Sequence, residues 1–141
     1  MKGPPLNAFT AVQIIAVAAA LWIVFSRPEV WDLQRSLGSA LVVVGVAGIA
    51  AARYQLGKSF SLRAEAHELV TQGIYSKIRN PIYIFGVVMI AGVVLVLHRP
   101  MLWLLLPVIV AMQTLRARRE AQVLEAAFGD AYREYRRKTW F

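Results

Sequence analysis

The chain has 141 residues, of which 58% are hydrophobic and 17% are charged, against roughly 45–50% and about 25% in typical soluble domains. A soluble domain of this length could not bury so much apolar surface in its own core, so the composition excludes an ordinary globular protein and favours a membrane protein. The net charge of +8 does not indicate a nucleic-acid partner, because the basic excess lies in residues 53–79 and 116–138, which flank apolar runs as cytoplasmic loops of membrane proteins do.

Four apolar segments follow one another along the chain, at about residues 9–25, 36–52, 82–97 and 101–115. A helix needs roughly 17–25 residues to cross the hydrocarbon core, so the first two segments are long enough and the last two are short. Only His98-Arg99-Pro100 separates the last two, and we expect a tight antiparallel hairpin because proline can end one helix and start the next. The pattern predicts an all-α, polytopic membrane protein of about four transmembrane helices, forming a single domain over residues 1–141.

The distribution of basic residues also predicts the topology. The first segment follows Lys2 but lacks a convincing small-residue cleavage site, so we interpret it as a retained span and not as a signal peptide. Placing both basic segments inside puts both termini in the cytoplasm and residues 27–35 outside. The short helices favour a prokaryotic plasma membrane. Small residues such as Gly38, Gly45 and Gly48 predict that the second helix packs closely against its neighbours.

The segment after the fourth span is predicted to be helical, and a helix continuous with that span is one possibility. Leu124, Phe128 and Tyr132 recur at helical spacing with charged residues between them. We expect this stripe to lie on the membrane interface or against the other cytoplasmic segment. Gly129-Asp130 is predicted to break the helix, with the glycine ending one piece and the aspartate capping the next.

The stretch from His67 to Gly86 is the most specific part of the chain. Taken locally, Gly73 allows a turn, and Asn80-Pro81 is typical of an N-cap followed by a first-turn proline at the start of the third span. Tyr75 and Tyr83 could be interfacial aromatic residues. No single feature of this stretch requires a function beyond membrane anchoring.

The combination of features nevertheless resembles the isoprenylcysteine carboxyl methyltransferases and their relatives, small integral-membrane methyltransferases that include phospholipid N-methyltransferases. Their first motif is a leucine-valine-threonine run, then Gly-x-Tyr, then Arg-His-Pro-x-Tyr-x-x-Gly or a close variant. The corresponding residues here are Leu69-Val70-Thr71, Gly73-Ile74-Tyr75, Arg79-Asn80-Pro81-Ile82-Tyr83 and Gly86.

A second motif of these families follows the hairpin, and the resemblance covers about residues 55–138. Asn80 stands where the first motif usually has histidine, and Ala121 replaces the second residue of a glutamate pair. The first two helices do not extend the resemblance. The residues of the second motif are Arg116, Glu120, Leu124, Phe128-Gly129, Tyr132 and Tyr135.

The resemblance implies a site for S-adenosylmethionine on the cytoplasmic side, between the loop before the third span and the segment after the fourth. Glu120 would accept hydrogen bonds from the cofactor. Arg116, one helical turn earlier on the same face, would approach the methyl acceptor and could hold an acceptor carboxylate with two parallel hydrogen bonds. The other residues that would line the cofactor are His67, Glu68, Leu69, Val70, Tyr75, Asn80, Pro81, Ile82 and Tyr83.

The resemblance implies methyl transfer to a lipophilic acceptor that enters from the bilayer, as in isoprenylcysteine carboxyl O-methylation. A phospholipid amine or a small thiol is an alternative acceptor, and a non-catalytic membrane assembly or scaffold protein is an alternative function. We expect no metal site: the chain has no cysteine, and its two histidines, His67 and His98, are predicted on opposite sides of the membrane. His98 is interpreted as a solvated turn residue. The sequence does not indicate an oligomeric state.

Overall fold

The computed structural model describes residues 8–57 and 69–141, and this part of the chain is almost entirely helical. The described ranges contain no strand, and their only β pairing is an isolated bridge between Ile78 and Trp140. The all-α prediction is therefore confirmed. The elements are α1 (Ala8–Ser26), α2 (Leu33–Leu56), a 3-10 turn (Gly73–Ser76), α3 (Pro81–Leu97), a second 3-10 turn (Pro100–Leu104), α4 (Leu105–Phe128) and α5 (Asp130–Lys138).

Three helical units in the described ranges are long and apolar enough to cross a membrane: α1, α2 and the 29-residue unit Pro100–Phe128. The fourth apolar helix, α3, has 17 residues, which is the lower end of the length that spans a hydrocarbon core, roughly 17 residues. The fourth span was expected to be short, but its apolar residues belong to this 29-residue unit, and the helix predicted for the charged segment after residue 115 is confirmed as its continuation. Arginine, alanine and glutamate favour helix, so α4 continues without interruption through the charged residues that follow its apolar half.

The closest packing in the described chain joins α2 to α3. Small residues make it possible: a Cβ atom at Gly45 would lie 2.6 Å from the Cβ of Met89, and one at Gly38 would lie 2.7 Å from the carbonyl oxygen of Gly92. Contacts this close exclude any side chain at those positions and let the two backbones approach. The prediction that the second helix is a packing helix is confirmed.

The helices α1 and α4 are packed much more loosely. Ala20 and Val24 are the buried residues of α1, and no residue from 105 to 116 in the apolar half of α4 is buried. The connection between α3 and α4 is short, as predicted, but the main partner of α3 is α2 and not α4. The outer faces of α1 and α4 are therefore left to contact lipid.

One end of the bundle carries both sequence motifs, and we call it the motif end: residues 8–13, 53–57, 69–83 and 113–141. Here the chain after α5 pairs with the residues before α3. Trp140 donates its backbone N–H to the Lys77 carbonyl at 3.0 Å, and the Asn80 N–H donates to the Phe141 backbone oxygen at 2.9 Å. This parallel pairing fixes the start of α3 against the end of α5.

The predicted helix break at Gly129 is confirmed. Gly129 has a φ of +53°, and α4 ends at Phe128 while α5 begins at Asp130. The prediction that Asp130 caps α5 is wrong: Gly129 occupies the N-cap position and Asp130 lies in the first turn, where its carboxylate contacts Arg133 at 3.1 Å. The predicted stripe packs against the preceding segment through a cluster formed by Leu69, Ala121, Leu124, Phe128, Tyr132 and Tyr135.

The opposite end of the bundle, residues 26–35 and 97–100, is called the far end. Asp32 caps α2 by accepting the Arg35 N–H at 2.6 Å, and its other carboxylate oxygen lies 2.8 Å from His98 Nε2. Arg35 is 1% exposed and donates to the backbone carbonyls of Val24, Arg27 and Glu29. His98 is an exposed turn residue with a φ of 52°, as predicted, and the structure adds its partner, Asp32.

Candidate functional site

The two sequence motifs meet at the motif end through a hydrogen bond between α3 and α4. The Tyr83 hydroxyl, in the first turn of α3, donates to Glu120 Oε1 at 2.5 Å, across 37 positions of sequence. Tyr83 is 4% exposed, whereas the Glu120 side chain is 27% exposed. A carboxylate near the membrane needs such a partner to offset its desolvation. The bond also orients the carboxylate group.

Arg116 lies beside this pair on the same face of α4. Its Nε is 3.6 Å from Glu120 Oε1, and its side chain is 47% exposed. The guanidinium carbon lies 3.6 Å from the centroid of the Phe9 ring, and that ring is 6.1 Å from the ring of Tyr83. Four side chains from α1, α3 and α4 therefore form one cluster, Phe9–Tyr83–Arg116–Glu120, which we call the four-residue cluster.

Phe9 was not among the residues predicted from sequence. A phenylalanine in an apolar helix carries no local signal of a role, and α1 lies outside both motifs. Only the approach of α1 to α4 reveals the contact.

Leu69, Val70 and Tyr75 are at the motif end, but away from the four-residue cluster. Tyr75 is buried with Ala52, Leu56 and Ile82, and Val70 packs against this group. The Tyr75 carbonyl accepts the Tyr135 hydroxyl at 2.8 Å, which ties α5 to the 3-10 turn. Leu69 and Val70 also line a cleft of about 440 Å³ together with Gln55, Leu56 and residues 71–73.

The Asn80–Pro81 turn has the predicted position but not the predicted side-chain contact. Asn80 is the N-cap residue of α3 and Pro81 is the first helical residue, yet the Asn80 side chain makes no capping hydrogen bond. Its backbone is held instead: the carbonyl accepts from Tyr83 and Ile84, and the N–H donates to Phe141. Pro81 and Ile82 are buried, while Asn80 lines a second cleft, of about 530 Å³.

The structure thus gathers the described candidates at one end of the bundle without arranging them around one cavity. Glu120 contacts both Tyr83 and Arg116. Leu69 and Val70 line the smaller cleft, and Asn80 lines the larger one on another face of α4. His67 and Glu68 lie outside the described residues.

Comparison with known proteins agrees with this arrangement of motifs. A family model described as phospholipid methyltransferase matches residues 33–131, which are 99 of the 141 residues. The chain belongs to the phospholipid methyltransferase family. The resemblance to small membrane methyltransferases is confirmed, and it begins earlier than expected, since the match includes α2. No curated protein and no solved structure matches the chain.

Family membership implies methyltransferase activity in a membrane, and the larger cleft of this phospholipid methyltransferase family member is electropositive. Arg79, Arg118 and Arg136 line it together with Glu125. Glu125 is 2.8 Å from Arg133 and 4.0 Å from Arg136, and its hydrogen bond raises the pKa of Arg133. Within residues 8–57 and 69–141, neither Arg79 nor Arg118 has an acidic partner. The cleft is therefore suited to an anionic group.

Proposed function

We propose that this protein transfers a methyl group from S-adenosylmethionine to a lipophilic acceptor that enters from the bilayer. A phospholipid amine is favoured over a prenylcysteine carboxylate, because the matching family is that of the phospholipid methyltransferases. The observation that carries the proposal is the Tyr83–Glu120 hydrogen bond, with Arg116 beside it. It joins the two motifs on which the resemblance rests, and it leaves a partly exposed carboxylate and a guanidinium side by side.

The motif end carries groups that complement this cofactor, with Glu120 on one face of α4 and the larger cleft on another. S-adenosylmethionine carries a cationic sulfur, an ammonium group, a carboxylate and ribose hydroxyls. Glu120 offers a carboxylate for the cationic or hydroxyl groups, and the larger cleft offers guanidinium groups for the carboxylate. Its volume of about 530 Å³ falls within the range of small-molecule sites, roughly 300–1,000 Å³.

The remaining assignments follow from the family resemblance. Leu69, Val70, Tyr75 and the Asn80–Tyr83 turn, including Pro81 and Ile82, would line the cofactor. His67 and Glu68 would join them from the part of the chain outside the described residues. Arg116 would contact the acceptor and is the proposed catalytic residue.

Positioning and charge would supply most of the catalysis. When bound, the cofactor would supply a methyl group on a cationic sulfur: the free amine of the acceptor would form a bond to the methyl carbon as the carbon–sulfur bond breaks, and S-adenosylhomocysteine would leave. Such a displacement depends on the geometry of approach and on charges that are already in place. Glu120, held by Tyr83, would stabilise positive charge. Arg116, beside it, would hold an anionic part of the acceptor and thereby orient the attacking atom.

The experiment that tests the proposal is calorimetric titration of the purified protein, in lipid nanodiscs, with S-adenosylhomocysteine. We expect saturable binding that weakens by roughly 10-fold or more in Glu120→Gln, because a hydrogen bond to a charged group contributes about 1.5–3 kcal/mol. Tyr83→Ala should weaken binding as well. Glu134→Gln is the matched control, since Glu134 is an exposed carboxylate that pairs with Lys138 on the same helix.

Methyl transfer to phosphatidylethanolamine is then measured with labelled cofactor. Incorporation of label into the lipid establishes the acceptor class. A folded wild-type protein that binds no S-adenosylhomocysteine would overturn the enzyme assignment and favour a non-catalytic assembly role.

A further inference from the structure

The first helix lies outside the residues that match the family, yet it reaches the candidate site. The family match begins at residue 33, whereas α1 ends at Ser26. The buried residues of α1, Ala20 and Val24, lie in its second half. The Phe9 contacts are at the other end of the helix and are not part of that core. Something other than core packing is therefore needed to explain why α1 presents an aromatic ring to the site.

The way in which Phe9 contacts Arg116 determines which N–H donors of the Arg116 guanidinium stay accessible. The N–H donors of a guanidinium lie in its plane, and its faces have none. Phe9 lies 3.6 Å below the guanidinium carbon, so it covers a face and leaves the edges open. No hydrogen bond from Arg116 to another residue is found in the described ranges, and its only acidic contact there is Glu120, at 3.6 Å.

A planar group with open edges is suited to an oxyanion. Arginine binds phosphate and carboxylate groups through two parallel N–H bonds. A cation–π contact fixes the plane of the guanidinium without using those donors. Among lipophilic acceptors, a glycerophospholipid carries such an oxyanion: its phosphodiester lies a few bonds away from the amine of the headgroup.

A groove between α1 and α2 has its polar end at Gln13 and Arg53, which are hydrogen-bonded to each other. It has a volume of about 350 Å³ and is lined by Ile14, Val17, Leu21, Val46 and Ile49, among other residues. Gln13 also lines it, and Gln13 is one helical turn from Phe9. Since α1 and α2 are both membrane-spanning candidates, the groove is an apolar slot of the kind that an acyl chain fills. A lipid whose chain occupies it would place its headgroup next to Phe9 and Arg116.

We propose that α1 completes the acceptor site: the groove between α1 and α2 holds an acyl chain of the phospholipid, and Phe9 is a positioning residue that stacks on Arg116 so that its edges bind the phosphodiester. This inference rests on the proposed function for its catalytic consequence. The lipid site itself can be measured without turnover, so the two can fail separately.

The test compares Phe9→Leu, which keeps an apolar side chain and removes the ring, with Phe9→Trp, which keeps a ring. In nanodiscs with increasing phosphatidylethanolamine, Phe9→Leu should raise the KM for the lipid roughly 10-fold, as expected for loss of a partly desolvated cation–π contact. Phe9→Trp should have a KM for the lipid close to that of wild type. The affinity for S-adenosylhomocysteine should not change. Phe25→Leu, at an exposed aromatic position in the last turn of the same helix, should behave as wild type.

The second measurement is binding of short-chain phosphatidylethanolamine to detergent-purified protein without cofactor, compared with the corresponding diacylglycerol. Wild type should prefer the phosphate-bearing lipid, and the preference should fall in Phe9→Leu and in Arg116→Gln. Equal binding of both lipids to wild type would overturn the phosphodiester site. A loss of S-adenosylhomocysteine affinity in Phe9→Leu equal to its loss of lipid affinity would show a merely structural role. If the lipid preference holds while wild type binds no S-adenosylhomocysteine, the proposed function fails and the lipid site stands.

Discussion

The two ends of the bundle each place an arginine against an aromatic ring, and they use the two arginines in opposite ways. At the far end, Arg35 lies 4.4 Å from the Trp31 ring, is 1% exposed and gives its terminal N–H groups to three backbone carbonyls. At the motif end, Arg116 lies 3.6 Å from the Phe9 ring and is 47% exposed. It makes no hydrogen bond within the described ranges.

This difference distinguishes an arginine with a structural role from one that we propose binds a ligand. The carbonyls that Arg35 satisfies belong to the end of α1 and to the loop that follows it, so this side chain closes the α1–α2 connection. The bond to the Val24 carbonyl is buried, and a buried carbonyl without a donor would be costly. Arg116 makes no such bonds to backbone carbonyls within the described ranges. Its donors are held in place and kept accessible, which is the condition that a binding residue has to meet.

The largest expected effect tests this comparison directly. Arg35→Met removes the donors of three carbonyls at the far end, and we expect unfolding to become easier by about 3 kcal/mol or more. The midpoint of thermal unfolding should fall by roughly 10 °C. Tryptophan fluorescence during heating of the purified protein measures it. Arg116→Met should shift the midpoint very little, because the side chain is half exposed and not hydrogen-bonded, but should lower kcat/KM roughly 100-fold.

The contrast between these two variants is the informative result. If both lose stability to the same extent, Arg116 is as structural as Arg35, and the distinction between the two ends is wrong. If Arg35→Met alone loses activity at a temperature where it is still folded, the far end takes part in function.

A smaller effect is expected from Tyr83→Phe, which deletes one hydroxyl and keeps the ring that packs near Phe9. The variant removes the 2.5 Å bond to Glu120, and hydrogen bonds to charged groups contribute about 1.5–3 kcal/mol. We expect S-adenosylhomocysteine to bind roughly 10-fold more weakly, and the midpoint of thermal unfolding to fall as well, because Glu120 loses a partner that offsets its desolvation. Tyr54→Phe, at an exposed tyrosine of α2, is the control. Unchanged affinity in Tyr83→Phe would mean that orientation of Glu120 by this hydroxyl is unimportant.

A still smaller and more local effect is expected from Tyr135→Phe. The lost hydroxyl leaves the Tyr75 carbonyl without its 2.8 Å donor in a buried position, at a cost of about 1–2 kcal/mol. Because this bond ties α5 to the turn before α3, hydrogen exchange should accelerate in residues 73–80 and stay unchanged in residues 26–35 of the far end. Uniform acceleration at both ends would show global destabilisation and would contradict a local role.

The sequence predicted the helices well, because apolar runs and breakers report local structure. Pro81 and Gly129 mark the start of α3 and the end of α4 as expected. The helix after residue 115 was predicted from the spacing of Leu124 and Phe128, and the structure shows it as a continuation of the fourth span up to Phe128, because charged residues end an apolar run without ending a helix. The side-chain capping bond predicted for Asn80 does not form. The Asn80 N–H instead donates to the backbone oxygen of Phe141, which lies 61 positions further along the chain.

The residues of the candidate site could be predicted only where they belong to one of the two sequence motifs. Tyr83, Glu120 and Arg116 were expected near one another, and the structure brings them into contact. Phe9, Arg35 and the Asp32–His98 pair were not foreseen as interacting residues. Each depends on two helices approaching in space, and no spacing along the chain encodes such an approach. The residues that distinguish the two ends of the bundle are therefore mostly those whose contacts could not be predicted from the sequence.

The contribution of the far end to stability should depend on pH. The protonated His98 ring donates to the Val96 carbonyl at 3.0 Å and to Asp32 at 2.8 Å, and these two contacts, the carbonyl first, raise the pKa of His98 above its ordinary value of 6.5. The Arg35 N–H and then His98 lower the pKa of Asp32 below 3.8. The histidine contribution is therefore complete below pH 6.5 and is lost as the pH rises through the raised pKa. The aspartate contribution is lost only in acid.

We expect the midpoint of thermal unfolding to fall modestly as the pH rises above 6.5 and passes through the raised pKa of His98, because the exposed pair then loses its charge attraction. His98→Asn is the matched variant, since asparagine tolerates the left-handed turn at this position and does not titrate. Its unfolding midpoint should vary less over the same interval. Parallel pH profiles for the two proteins would show that the far end is held by Arg35 and the Asp32 cap alone, and that the histidine is an incidental neighbour of the aspartate.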